Sequence, residues 1–298
     1  MPIATILLPD FSLILIGFLL VRHTDWGRAF WSGLEKLVYY VLFPALLFYA
    51  TARAPFDFAT TGKLLQVTMT AVCIGIALGW LALPLFRPGP MIFESGVQTA
   101  FRFNSYIALA VASRLGGDQG TAMIAIIIGF AVPVCNAAAV HALVHKKGGL
   151  LRELSRNPLL IATMCGVLFN LIGIPIPEVI GAVFTRMSQA AIALGLIAVG
   201  AGLHFSGLEE SKGIAAYFIA IKLVVLPAVG FGLGLWLGLT PLQLQIAVMF
   251  CGLPTASSAY VLATRMGGNG PFVAFLVTTG TLISAVTLPL WLALAQAQ

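Results

Sequence analysis

The segment Ala112-Ser113-Arg114-Leu115-Gly116-Gly117-Asp118 returns as Ala263-Thr264-Arg265-Met266-Gly267-Gly268-Asn269, at an offset of 151 residues. Such a Gly-Gly-Asx run ends a helix in a turn, because glycine reaches backbone conformations closed to other residues. The same offset lays Gly79 on Gly230, and Thr61-Gly62-Lys63 roughly on Lys212-Gly213. The chain of 298 residues thereby divides into two copies, 1–149 and 150–298.

The composition says what solvent surrounds those copies. Charged residues are 9% and hydrophobic residues 60%, with a mean hydropathy of +1.02. A soluble protein of this size has too large an outside to hide so much apolar surface. Water is excluded as the main solvent, and soluble enzyme folds with it. No Lys/Arg block is long enough for a nucleic-acid face, despite the net charge of +6. A membrane-crossing helix needs about 20 apolar residues. Ten runs qualify, at 3–21, 33–52, 62–86, 92–114, 120–144, 158–174, 185–206, 213–236, 241–264 and 271–294. They are continuous rather than alternating, so the expectation is an all-α polytopic membrane protein and no β-barrel. The first run lacks a basic leader and is interrupted by Pro9-Asp10, so it is not read as a secretory signal. The four cysteines (Cys73, Cys135, Cys165, Cys251) have no metal-ligand spacing and are expected to be buried thiols.

Basic residues set the orientation. With the N-terminus outside, the inner side carries Arg22, Arg28, Lys36, Arg87, Lys146, Lys147, Arg152, Arg156, Lys212 and Arg265. The outer side then carries only Arg53, Lys63, Arg114 and Arg186, so both termini are expected to be extracytoplasmic. Five spans is an odd number, so the second copy enters the membrane in the opposite direction. Inverted repeats of this kind are common in secondary transporters, whose sites lie near the midplane at interrupted helices. Span 9 carries the interruption: Cys251-Gly252-Leu253-Pro254-Thr255-Ala256-Ser257-Ser258 puts a proline well inside the membrane. In span 4 the offset brings Phe103 onto Pro254 and Asn104 onto Thr255.

These motifs resemble the auxin efflux carrier family, in particular its short prokaryotic members. The resemblance rests on Phe43-Pro44-Ala45-Leu46-Leu47-Phe48, Phe101-Arg102-Phe103-Asn104, Val132-Pro133-Val134-Cys135-Asn136, Leu226-Pro227 and the run from Gly252 to Ala263. It covers essentially the whole chain. It implies two inverted five-helix repeats in a fold like the bile-acid and sodium/proton antiporters. It also implies a scaffold of spans 1, 2, 6 and 7, and a transport domain of spans 3–5 and 8–10. Spans 4 and 9 would be broken and would cross at their centres. The implied substrates are organic anions. Span 4 departs from the pattern, because Asn104 is followed by Ser-Tyr-Ile-Ala-Leu rather than by an early Gly or Pro, which puts a clean break there in doubt.

Two cations fall deep in spans. Arg102 and Lys222 each lie roughly 15 Å from a span end, at 1.5 Å per residue. A charge at the bilayer centre costs at least about 2.5 kcal/mol, so something must offset it, by snorkelling or by a guest of opposite charge. The arginine fork suits a carboxylate, and burial makes Lys222 a candidate proton carrier. Asn104, Thr255 and the backbone at Pro254 are further candidates for substrate binding, because a broken helix presents free amides to an anion. Asn136 caps a kink at Pro133 or reaches the crossing. Asp10 reads as an N-cap or as an intramembrane acid, and a proton relay through Asp10, Lys222 or His141 is the alternative to passive roles; His204 is read like His141. Gly75-x-x-x-Gly79 and Gly230-x-x-x-Gly234 predict close helix packing and are compatible with a homodimer.

The expected function is secondary transport of small organic anions across the plasma (bacterial inner) membrane, with no cofactor and with coupling to H+ or Na+ open. A cation/proton antiporter or sodium-coupled symporter on the same fold, and a passive channel, are the alternatives; an antiporter would normally need buried carboxylates. No nucleotide-binding or hydrolase motif is present.

Overall fold

The computed structural model describes residues 3–53, 58–143, 158–203 and 212–298. Lys146, Lys147, Arg152, Arg156 and His204 lie outside the described residues. Every regular element among the described residues is helical. In chain order they are α1 (Ile3–His23), α2 (Arg28–Leu37), α3 (Phe43–Arg53), α4 (Phe58–Phe86), α5 (Pro90–Gly96), α6 (Ser105–Leu143) and α7 (Pro158–Ile172). There follow α8 (Glu178–Ala201), α9 (Lys212–Ala220), α10 (Leu226–Trp236), α11 (Pro241–Gly252), α12 (Ser258–Arg265) and α13 (Gly270–Gln296). Among the described residues, six stretches are long and apolar enough to cross a membrane: Arg28–Arg53, Thr61–Phe86, Pro90–Leu143, Glu178–Ala201, Lys212–Trp236 and Gly270–Gln296.

Two boundaries differ from expectation. Span 2 begins at Arg28, because α2 is an amphipathic extension with no buried residue, too polar for a hydropathy reading. Spans 4 and 5 are separated by no loop. Gly116 (φ −142°) and Gly117 (φ 53°, ψ −134°) alone interrupt the helical run of α6, the second in a region that favours glycine.

Prolines explain two further irregularities. Val38–Leu42 and Ile221–Val225 are π-helical turns, each ending just before a Phe43-Pro44 or Leu226-Pro227 pair. Proline lacks an N–H and its ring crowds the carbonyl four residues earlier, so the preceding turn widens. The Leu226 N–H accordingly reaches back to Ile221. The Leu223 carbonyl, which Pro227 cannot serve, accepts instead from the Trp291 indole Nε1 at 3.0 Å.

The chain forms two compact units. The first comprises Met1–Thr61, Tyr106–Phe130 and Leu151–Gly202. In it α1 packs on α8 and α3 on α7. A Cβ at Gly17 would meet the Ile197 carbonyl, and one at Gly200 the Ile14 carbonyl, so these backbones touch only because both residues are glycine. Asn170 Nδ2 donates to the Ala52 carbonyl at 2.9 Å and the Thr51 carbonyl at 3.2 Å, covering the end of α3. Both sides of the Gly116-Gly117 break are tied down: Arg114 Nε donates to Asp10 Oδ2 of α1 at 2.7 Å, and Asp118 pairs with Arg53 of α3 at 3.2 Å.

The second unit comprises Gly62–Ser105, Ala131–Leu150 and Leu203–Gln298. Here the glycine pairs pack helices closely, as their spacing predicts. A Cβ at Gly75 would lie 3.3 Å from the Ala100 carbonyl, and one at Gly79 would lie 3.1 Å from Val97 and 3.4 Å from Ala100. On the other side, Gly230 faces Cys251 and Gly234 faces Leu244. Cys73 and Cys165 correct the expectation of four buried thiols: both are exposed, and only Cys135 and Cys251 are buried. A lipid-facing position is as apolar as a core position, so hydropathy does not separate them.

Candidate functional site

The second unit contains two broken helices. The span 9 break is proline-driven: α11 stops at Gly252, Leu253–Ser257 leave the helix, and α12 begins at Ser258. Span 4 breaks without a proline. After α5 a 3-10 turn (Val97–Ala100) runs into non-helical Phe101–Asn104, and α6 starts at Ser105. Side chains do the work that proline does in span 9. Gln98 Nε2 donates to the Ser95 carbonyl at 3.0 Å and the Ala259 carbonyl at 3.3 Å, and Thr99 Oγ1 donates to Gly96 at 2.7 Å. The Cys135 thiol donates to the Phe101 carbonyl at 3.5 Å. Carbonyls that a helix would have used are thus satisfied locally, as burial demands.

The two breaks meet. The Asn104 N–H donates to the Pro254 carbonyl at 2.8 Å, and Thr255 Oγ1 donates to the Thr99 carbonyl at 2.9 Å. Phe103 and Phe250 rings pack at 4.7 Å between centroids. Asn104, Thr255 and Pro254 are buried, with Asn104 at 3% and Thr255 at 4% exposure.

Both deep cations belong to this place. Lys222, in the π turn after α9, is 4% exposed, and its Nζ donates to the Cys251 carbonyl at 2.9 Å. That carbonyl sits in the last turn of α11, where the helix ends and carries partial negative charge. Arg102 is half-buried; its guanidinium donates to Gln98 Oε1 at 3.3 Å and to Ser258 Oγ at 3.1 Å. A small cavity joins Lys222 to the crossing, lined by Thr99, Ile219, Lys222, Leu223, Pro254, Thr255, Leu276 and Gly280. It offers about 10 Å³ to the centre of a water-sized sphere. That is room for about one water, so a carboxylate enters only if the walls move.

A family model described as a membrane transport protein matches residues 142–292. The chain belongs to that family, the auxin efflux carriers. It is an integral membrane transporter and not an enzyme. An "Uncharacterized transporter" of Methanothermobacter thermautotrophicus is 26% identical over 94% of both chains. A "Putative malonate transporter" of Rhizobium meliloti is 25% identical over 96% of this chain and 93% of its own. A "Probable auxin efflux carrier component 1b" of Oryza sativa subsp. japonica is 26% identical over 45% of this chain and 25% of its own length.

In this auxin-efflux-carrier family member the crossing gathers Asn104, Pro254, Thr255 and Lys222 directly, with Arg102 beside them. Asn136 lies half-buried within α6, and among the described residues no hydrogen bond joins it to the crossing. His141 is exposed near the end of α6, its ring stacked on Trp80 at 6.3 Å. Asp10 is not an N-cap. It stands inside α1, is 2% exposed, and pairs with Arg114, while its Oδ1 has no hydrogen-bond partner among the described residues. An acid followed by apolar residues looks the same in sequence whether it starts a helix or is buried in one. Gln98, Thr99 and Ser258 were not among the site residues expected from the sequence. Their signal was there: three polar residues close to both breaks, in spans where each polar group needs a partner.

Proposed function

We propose that the chain is a secondary carrier of small organic anions, carboxylates above all, working by alternating access. One observation carries the proposal: a buried lysine and a half-buried arginine stand at the crossing of two broken helices, and the cavity beside the lysine is lined by no acid among the described residues. Positive charge in a water-poor site favours an anionic guest. Thr255 and Asn104 supply hydrogen-bonding groups at the same point without adding a second charge to desolvate. The relative named for malonate supports dicarboxylates as the first substrates to try.

In this reading the two halves, 1–149 and 150–298, are inverted repeats in a fold like the bile-acid and sodium/proton antiporters. Two pairs of contacts support it. Gly79 packs on Ala100 and Gly230 on Cys251, both members of each pair shifted by the same 151 residues. The α1–α8 and α3–α7 pairs also exchange when span 1 is mapped on 6 and span 2 on 7. Spans 1, 2, 6 and 7 would be the scaffold, and spans 3–5 and 8–10 would carry the site from one side to the other. Both termini lie outside, and a homodimer is compatible with the reading.

The deciding experiment is uptake by the purified chain in liposomes, across a panel of mono- and dicarboxylates, with pH, sodium and voltage varied separately. Saturable carboxylate uptake, strongly weakened in Arg102→Gln and Lys222→Gln, is expected. Non-saturable flux that only follows voltage would make it a channel. Transport of amines or metal cations with no carboxylate moved would defeat the reading.

A further inference from the structure

The two ion pairs beside the Gly116-Gly117 break join parts of the chain that the carrier reading sets in relative motion. Arg114 and Asp118 stand at the tip where span 4 turns into span 5, and their partners Asp10 and Arg53 stand on spans 1 and 2. Tyr106–Phe130 accordingly belongs to the first compact unit, together with α1, α3, α7 and α8. Asp10 is 2% exposed and its Oδ2 accepts from Arg114 Nε at 2.7 Å, while its Oδ1 has no hydrogen-bond partner among the described residues. Withdrawing Arg114 leaves a buried carboxylate with its charge unmatched, which is strongly unfavourable. The Arg53–Asp118 pair is half-exposed and adds a weaker contact at 3.2 Å. The sequence of the second copy does not repeat the acids. At the offset of 151, Asp10 falls on Ile161 and Asp118 on Asn269, while Arg114 falls on Arg265 and Arg53 on His204. The Asn269 side chain instead accepts from the Phe272 N–H at 2.9 Å, as an N-cap.

We propose that Asp10–Arg114 and Arg53–Asp118 form a one-sided latch: they hold the tip of spans 4 and 5 on spans 1 and 2, so the carrier without substrate rests in this state. This deepens the anion-carrier reading and rests on it for the two states. In an inverted-repeat carrier, the two states exchange the surroundings of the two copies. A contact built into one copy alone therefore stabilises one state alone. With both termini outside, the latched tip lies at the outer surface, and the resting carrier is closed on that side. Leaving the state requires both pairs to part, and the buried acid makes the Asp10–Arg114 pair the harder one to open.

The test measures a distance on the purified full chain in detergent, without substrate. Cys73 and Cys165, the two exposed thiols, are replaced by serine. Spin labels are then attached through Gln119→Cys at the tip and Glu178→Cys at the start of α8, both exposed positions of the first unit. With the latch intact, one dominant distance is expected. Asp10→Asn combined with Asp118→Asn should add a second, longer distance that holds about a third or more of the molecules. A single unchanged distance in that variant would overturn the proposal even if its melting temperature fell, because the pairs would then serve stability alone. Two comparable distances with the latch intact would overturn it as well. If Asp10→Asn prevents folding, Arg53→Gln with Asp118→Asn takes its place, since both residues are half-exposed. A second distance of smaller weight then supports the latch, and an unchanged single distance overturns it. Absence of carboxylate uptake in liposomes counts against the carrier reading, whereas the distances decide the latch.

Discussion

At the residue scale, the crossing is held by backbone carbonyls and the side chains that reach them. Thr255 illustrates this: its hydroxyl covers the Thr99 carbonyl, the end of the first half of span 4. Thr255→Val keeps the shape and removes the donor, leaving a buried carbonyl unmatched, which costs about 1–3 kcal/mol. A lowered denaturation midpoint that Thr255→Ser restores is the expected result; a valine variant as stable as the wild type would mean the bond contributes nothing net. Arg114 makes a different case. Its partner Asp10 is buried while the arginine itself reaches the surface. Removing the arginine alone strands a buried carboxylate, so Arg114→Met should destabilise by about 3 kcal/mol. Adding Asp10→Asn to that chain should return part of the loss, a sign readable by thermal unfolding of the two variants side by side. The sequence named Asp10 and Arg114 separately, one as a doubtful acid and the other as a topology marker. Their pairing depends on two helices lying side by side, which no local pattern encodes.

At the scale of elements, the prolines and glycines were readable and the substitutes for them were not. Pro254 announced the span 9 break, and the Gly-Gly pair announced the end of span 4. The span 4 break was in doubt because the sequence offers no proline there. It forms because Gln98, Thr99 and Thr255 satisfy the freed carbonyls, a solution visible only once the second broken helix is beside the first. The glycine contacts give a direct check on packing. At Gly200 an added methyl would meet backbone, the Ile14 carbonyl, and not a side chain able to turn away. Gly200→Ala should therefore separate α1 from α8 and lower the melting temperature by several degrees, whereas Gly232→Ala, with open space around it, should leave the melting temperature close to the wild type.

At the scale of the whole molecule, composition decided the solvent and the offset of 151 residues suggested the plan, because both are properties of many residues at once. Orientation belongs to this scale too. Reporter fusions that are active only outside the cytoplasm should be active at both ends of the chain; activity at one end alone would show an odd number of crossings and end the ten-span plan. The Trp291 indole bond bears on how such motions could be followed. Its Nε1 occupies the Leu223 carbonyl, one residue from Lys222, and the chain has five tryptophans in all. Replacing Trp26, Trp31, Trp80 and Trp236 by phenylalanine would leave one fluorophore hydrogen-bonded next to the lysine. Its emission would then report, without any added label, each change in the surroundings of Lys222.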